Sequence, residues 1–199
     1  QLSINIFQLM NKILYWSPFI SKVATVKSVI NSAYVINKFN KNNFFRAYII
    51  NAINEWDDYS ELIDSKKIGL INLNKKSFFK TTSKDGFLRS RFVYWYIFIK
   101  CFFPLIKLLK DQKPKFLIIH LITSLPLILF SIKRFETKLI LRISGLPKMN
   151  FFRKTIWKIA SKNIFKITCP TQDTFNDLSR YDFLKDKLEL LSDPILNIN

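Results

Sequence analysis

Lys113-Pro-Lys-Phe-Leu-Ile-Ile-His120 and Lys138-Leu-Ile-Leu-Arg-Ile-Ser-Gly145 decide the fold. Phe116–Ile119 is apolar without polar alternation, the pattern of a strand covered on both faces, and Lys138–Arg142 reads as a second buried strand. Between them Ser124–Phe130 reads as a crossover helix. A strand, a helix and a second buried strand in this order form a right-handed βαβ unit with parallel strands. Its two strands deliver His120 and Arg142 to one edge.

The same alternation extends in both directions. Toward the N-terminus, Lys12–Trp16 is a short apolar run stopped by Ser17-Pro18. Val26, Val29, Ile30, Ala33, Val35 and Ile36 then recur at helical spacing within Val23–Phe39. Asn40–Asn43 turns the chain, and Arg46–Ile50 is aromatic and β-branched enough for a strand. Asn51–Asp58, which holds Glu55, reads as a loop, Ile68–Leu73 as a weaker strand, and Asn74–Gly86 as a basic surface run. Leu88–Lys110 forms a long aromatic helix. Toward the C-terminus come an amphipathic basic helix over Phe151–Ser161 and a strand over Ile164–Thr168. Cys169-Pro-Thr171 opens a helix over Asp173–Leu178, and a last strand covers Leu188–Leu191. Strands alternating with helices predict a parallel sheet with helices on both faces.

A length of 199 residues with 49% apolar side chains suits one domain and makes disorder a poor reading. The net charge of +18 favours anionic partners: nucleic acid, acidic headgroups or phosphate-bearing molecules. Two distant cysteines, Cys101 and Cys169, and a single histidine offer neither a disulfide framework nor a zinc site, so a reducing compartment is the default. Gln1 in place of Met leaves a trimmed or partial chain open, and the opening lacks a signal-peptide pattern. Phe92–Leu109 and Phe116–Phe130 resemble membrane spans. The first is interrupted by Lys100, Pro104 and Lys107; the second, at roughly 15 residues, falls short of the about 20 needed. A buried strand, or a helix lying at a surface, fits them better.

In an open parallel sheet the ligand crevice lies beyond the carboxyl ends of the strands. The residues expected there are Ser17, Glu55, His120, Thr123, Ser124, Arg142, Ser144, Gly145, Lys148, Thr171 and Gln172. His120 suits binding or protonating a substrate oxygen, or equally an imidazole satisfied by a carbonyl at the core's edge. Arg142 closes an apolar strand and needs a carboxylate or phosphate partner; an internal ion pair competes with a ligand. Gly145 suits close approach of backbone or ligand. The absence of a Gly-x-Gly-x-x-Gly or Walker loop argues against a dinucleotide or P-loop site, and no nucleophile elbow with a matching histidine appears. From Lys133 to Lys166 ten basic residues face only Glu136. The basic helix within that interval fits an anionic leaflet or a solvated face. Nucleic-acid binding is disfavoured because no RNP, KH or zinc-finger pattern is present.

Several of these segments carry a family likeness: KILYWSPFIS with VKSVINSA, INAINEWDDY, KPKFLIIHLITSLPLIL, KLILRISGLPKMNFFRKTIWK, ITCPTQDT and LLSDPI. Together, from about Lys12 to Ile195, they resemble the N-terminal half of a bacterial GT-B glycosyltransferase, family-4-like, of surface polysaccharide synthesis. The resemblance implies a single Rossmann-like domain over 1–199, with the nucleotide-sugar-binding C-terminal domain absent and no transfer by this fragment alone. It implies hexosyl transfer from a nucleotide-sugar to the hydroxyl of a lipid-linked or polysaccharide acceptor, with retention, without a cofactor or an essential metal. His120 is similar to the histidine that such enzymes place toward the transferred sugar. Arg142 departs from the polar residue usual before the glycine, and the Ser17–Ser21 loop lacks the usual glycine pair. The implied location is cytoplasmic, peripheral on the inner face of the plasma membrane. The competing reading is a non-catalytic basic α/β module that docks on anionic membrane or phosphorylated partners.

Overall fold

A computed structural model of the chain describes residues 11–20, 24–40, 44–74, 87–145 and 149–192. Lys148 and the run 75–86 therefore lie outside the described residues. The strands are β1 (Asn11–Trp16), β2 (Phe45–Asn51), β3 (Gly69–Asn72), β4 (Phe116–Ile119), β5 (Lys138–Arg142), β6 (Ile164–Cys169) and β7 (Leu188–Leu190). They form one sheet in the order β3-β2-β1-β4-β5-β6-β7, with every neighbouring pair parallel. The helices are α1 (Thr25–Phe39), α2 (Ser60–Ser65), α3 (Phe87–Gln112), α4 (Ser124–Ile132), α5 (Phe151–Ser161) and α6 (Gln172–Ser179). The chain reverses its direction of travel across the sheet between β1 and β4, a topological switch point.

Travel direction decides which face each helix covers. Moving outward from β1 to β3, right-handed crossovers place α1 and α2 on one face. Moving from β3 back to β4 and on to β7, they place α3 to α6 on the other. The period-2 alternation of β1 serves both layers. Leu14 and Trp16 join Leu117, Leu141 and Ile167 against Ile97, Cys101 and Leu105 of α3, Leu129 of α4 and Trp157 of α5. Ile13 and Tyr15 join Ala47 and Ile49 against Val26, Val29 and Ala33 of α1 and Ile63 of α2. The Tyr15 hydroxyl and Ser32 Oγ lie 2.7 Å apart, tying strand to helix.

The expectation that β4 is covered on both faces needs correction. Leu117 and Ile119 are fully buried, but Phe116 and Ile118 are half-buried. On the same face Lys138 is exposed and Ile140 half-buried, and the nearby Phe165 ring lies 5.8 Å from that of Phe116. Consecutive crossovers in one direction all land on the opposite face, so this one is covered only in part, Phe116 and Ile118 packing against the edge of the core that β1 and α1 build. Three short elements were not anticipated: α2, and 3-10 turns at Asp57–Tyr59 and Asp182–Lys187. The first turn buries no residue, and α2 and the second turn bury one apolar residue each, Ile63 and Leu184, which leaves no periodic stripe to read. The helix expected over Leu88–Lys110 runs through Pro104 to Gln112. Both cysteines are free and buried.

Candidate functional site

The carboxyl ends of β4 and β5 open onto a cleft of about 680 Å³. Ladder bonding continues past β4, where His120 N donates to Trp16 O at 3.1 Å. The Trp16 indole reaches over the switch point and donates from Nε1 to Ile122 O at 3.0 Å. This clamp holds Ile122 at a φ of 48°, a left-handed conformation that a β-branched side chain disfavours. The bend turns the chain directly into α4. Thr123, its N-cap residue, makes no side-chain cap bond, so the first-turn N–H groups lack that partner.

The cleft gathers His120, Thr123 and Ser124 from the β4 edge and Arg142, Ser144 and Gly145 from the β5 edge. His120 is 8% exposed, and its ring lies 5.9 Å from Tyr15 at a tilt of 35°. Arg142 is equally buried; its Nη1 donates to Leu191 O at 2.8 Å and Thr168 Oγ1 at 3.3 Å. These bonds pin the guanidinium to the ends of β6 and β7 while the side chain still lines the cleft. A Cβ added at Gly145 meets nothing within 4 Å. Among the described residues no atom requires a glycine there, and the position faces open space.

Sequence reasoning missed part of the wall. Tyr94 of α3, Asn150, and Phe152, Arg153 and Trp157 of α5 also line the cleft. Asn150 caps α5 by accepting from Arg153 N at 2.9 Å. Its position directly before a helix correctly bounded at Phe151 was the available signal. Tyr94 gave none, because only the crossover from β3 brings α3 alongside α4. The amino ends of α4 and α5, with Arg142 and Arg153, make this edge of the sheet electropositive and suited to an anionic group.

Four other expected residues are placed elsewhere. Ser17 is fully buried behind β1, and its Oγ has no hydrogen-bond partner among the described residues. Glu55 is 4% exposed and closes the turn after β2, accepting from Ala52 N at 3.1 Å and Ile53 N at 2.7 Å. Burial outweighs those two donors and pushes its carboxyl up to about 7. Beside it, burial first and the Glu55 carboxylate second push the Cys101 thiol up to about 12. Thr171 spends its hydroxyl capping α6, accepting from Thr174 N at 3.3 Å. Gln172 Nε2 donates along the surface of α6 to Asn176 Oδ1 at 2.8 Å.

No family model matches the chain, and no curated protein matches it. Solved structures do. UDP-GlcNAc 2-epimerase from Neisseria meningitidis, bound to UDP-GlcNAc, superposes with a TM-score of 0.60 at 17% identity, covering 92% of this chain and 47% of the other. A glycosyltransferase from Rickettsia africae gives 0.61 at 13%, covering 92% and 43%. Anabaena HepE in complex with UDP and glucose gives 0.58 at 10%, covering 93% and 45%. The chain thus spans about half the length of the structures it matches. What is shared is the fold, the Rossmann-like α/β unit of GT-B enzymes, with the parallel sheet and flanking helices read from the sequence.

Proposed function

We propose that the chain is the acceptor-side domain of a GT-B glycosyltransferase that moves a hexosyl group from a nucleotide-sugar to an acceptor hydroxyl. The carrying observation is the cleft at the ends of β4 and β5, where His120, Arg142 and two helix amino ends converge on the electropositive edge of a GT-B-type sheet. In the reaction the bond between the anomeric carbon and the diphosphate oxygen breaks, and the acceptor oxygen bonds to that carbon. The acceptor proton passes to the departing diphosphate, whose growing negative charge is stabilised by fixed dipoles and cationic side chains. His120 stands toward the sugar. Arg142, held by Leu191 O and Thr168, presents a preorganised charge without the entropy of a free side chain. Ser144 and Gly145 leave room for the acceptor. Lys148 follows Gly145 by three residues in the sequence and is assigned to acceptor binding; Ser17, Glu55, Thr171 and Gln172 serve the frame around the site.

UDP-sugars are the donor class this reading favours, since similar structures hold UDP-GlcNAc or UDP with glucose. The donor is held mainly by a second domain outside residues 1–199. Retention at the anomeric carbon, a family-4-like relationship, a lipid-linked or polysaccharide acceptor and a role in surface polysaccharide synthesis complete the proposal. The test is hexose transfer from UDP-sugars to a polyprenyl-linked saccharide by the complete protein. His120→Ala is expected to lower turnover about a hundredfold with the thermal midpoint unchanged. Unchanged turnover, or inversion of UDP-GlcNAc at C2 with no transfer, would overturn the assignment.

A further inference from the structure

Helix α3 carries two apolar stripes where a surface helix needs one. Val93, Ile97, Cys101 and Leu105 face the sheet and are buried. Phe92, Trp95, Ile99 and Phe103 recur at intervals of three and four on the opposite side, and they are 73%, 66%, 64% and 75% exposed. Such a row of large apolar side chains on a surface calls for an occupant. By length and composition Arg91–Gln112 would cross a bilayer. Its inner stripe is committed to the sheet, so only the outer one is available to lipid.

We infer that this outer face of α3 docks on an anionic lipid bilayer. Charge selects the occupant. Lys100, Lys107 and Lys110 are exposed on the same helix, where Asp111 is the one acid. A second copy of the chain would bring another +18 against the first. An anionic leaflet takes the lysines at its headgroups and the aromatic side chains just beneath, the arrangement of interfacial helices. The surface also borders the candidate site. Tyr94 of α3 and Phe152 of α5 line the same cleft, and Phe151 and Phe152 are 86% and 75% exposed beside Lys154 and Lys158. If the transferase reading holds, on which this last consequence rests, a membrane-borne acceptor reaches the cleft without leaving the bilayer surface. Docking itself does not depend on that reading.

The chain offers its own probe. Of its four tryptophans, Trp16, Trp56 and Trp157 are 0%, 0% and 1% exposed, which leaves Trp95 as the one that lipid can reach. The full chain is mixed with vesicles of phosphatidylcholine alone or with phosphatidylglycerol, with and without brominated acyl chains. Binding to the anionic vesicles, quenching of Trp95 by brominated lipid and loss of both in high salt are expected. Trp95→Glu combined with Phe103→Glu is expected to weaken binding about tenfold or more, at an unchanged thermal midpoint. Lys100→Gln combined with Lys107→Gln is expected to weaken the anionic binding alone and flatten its salt dependence. Absence of anionic binding, binding without Trp95 quenching, or a lipid-free dimer that the double Glu variant dissociates would each overturn the inference. UDP-sugar transfer to a soluble acceptor, measured without vesicles, reports separately on the transferase reading.

Discussion

The two halves of the sheet are built from similar apolar strands yet differ in what covers them. Over β1 and β2 both faces are packed: Ala47, Ile49 and Ile50 are each fully buried between the two helix layers. Over β4 to β6 one face is packed and the other stays partly open, with Ile118 and Ile140 half-buried and Phe165 43% exposed. The half packed on both faces buries the carboxyl ends of its strands, and the half with a partly open face carries the cleft. The difference teaches that strand hydrophobicity reports what a strand can bury, whereas crossover direction decides how much is buried.

The sharpest way to break this comparison is to truncate matched isoleucines. Ile49→Ala is expected to destabilise by about 2 to 5 kcal/mol in urea unfolding, through lost transfer energy and a cavity. Ile140→Ala, at a half-buried site, is expected to cost under about 1 kcal/mol. Equal losses would mean that the second face of β5 is covered after all.

A second test uses the carboxylate that the closed half contains. Burial pushes the Glu55 carboxyl up to about 7 in the folded chain, from an ordinary value of 4.5. Between those pH values the folded state holds a proton that the unfolded chain has released. Stability is therefore highest at the acidic end of this window and falls by about 3 kcal/mol as pH rises through it. Urea midpoints across that range should show the decline, and Glu55→Gln should flatten it.

The smallest effect comes from the glycines. A Cβ at Gly69, on β3, would lie 2.1 Å from the ring of Tyr48 on the neighbouring strand, so Gly69→Ala must displace that ring and is expected to cost about 1 to 2 kcal/mol. Gly145→Ala meets open space among the described residues and is expected to leave the thermal midpoint unchanged while, under the proposed function, weakening acceptor binding. A loss of stability at Gly145 would mean that the loop after β5 packs against this position.

Much of this was legible in the residues. The limits of β4, β5 and α5 were read to the residue, because Pro114, the polar residues that end the strands and the Asn150 cap punctuate clear apolar runs. Convergence of His120, Thr123, Ser124, Arg142, Ser144 and Gly145 followed from the rule that ligands sit beyond the strand ends. The same rule gathered too many residues. Ser17 and Glu55 also follow strands, but β1 is central and the turn after β2 folds back on itself, so both side chains face inward. Thr171 and Gln172 are consumed by the start of α6, a local bond network that a list of polar residues does not reveal.

By itself, the sequence determined the alternation of strands and helices, the parallel α/β class and the placement of His120 and Arg142 at one edge. Those properties depend on local periodicity and on chirality that every L-peptide shares. Only the tertiary structure decided that Tyr94 and Asn150 join the cleft, that half the sheet keeps a partly open face, and that α3 turns a second apolar stripe outward. Each of these depends on which element arrives beside which. Burial is a relation between distant segments, and no window of sequence contains both partners.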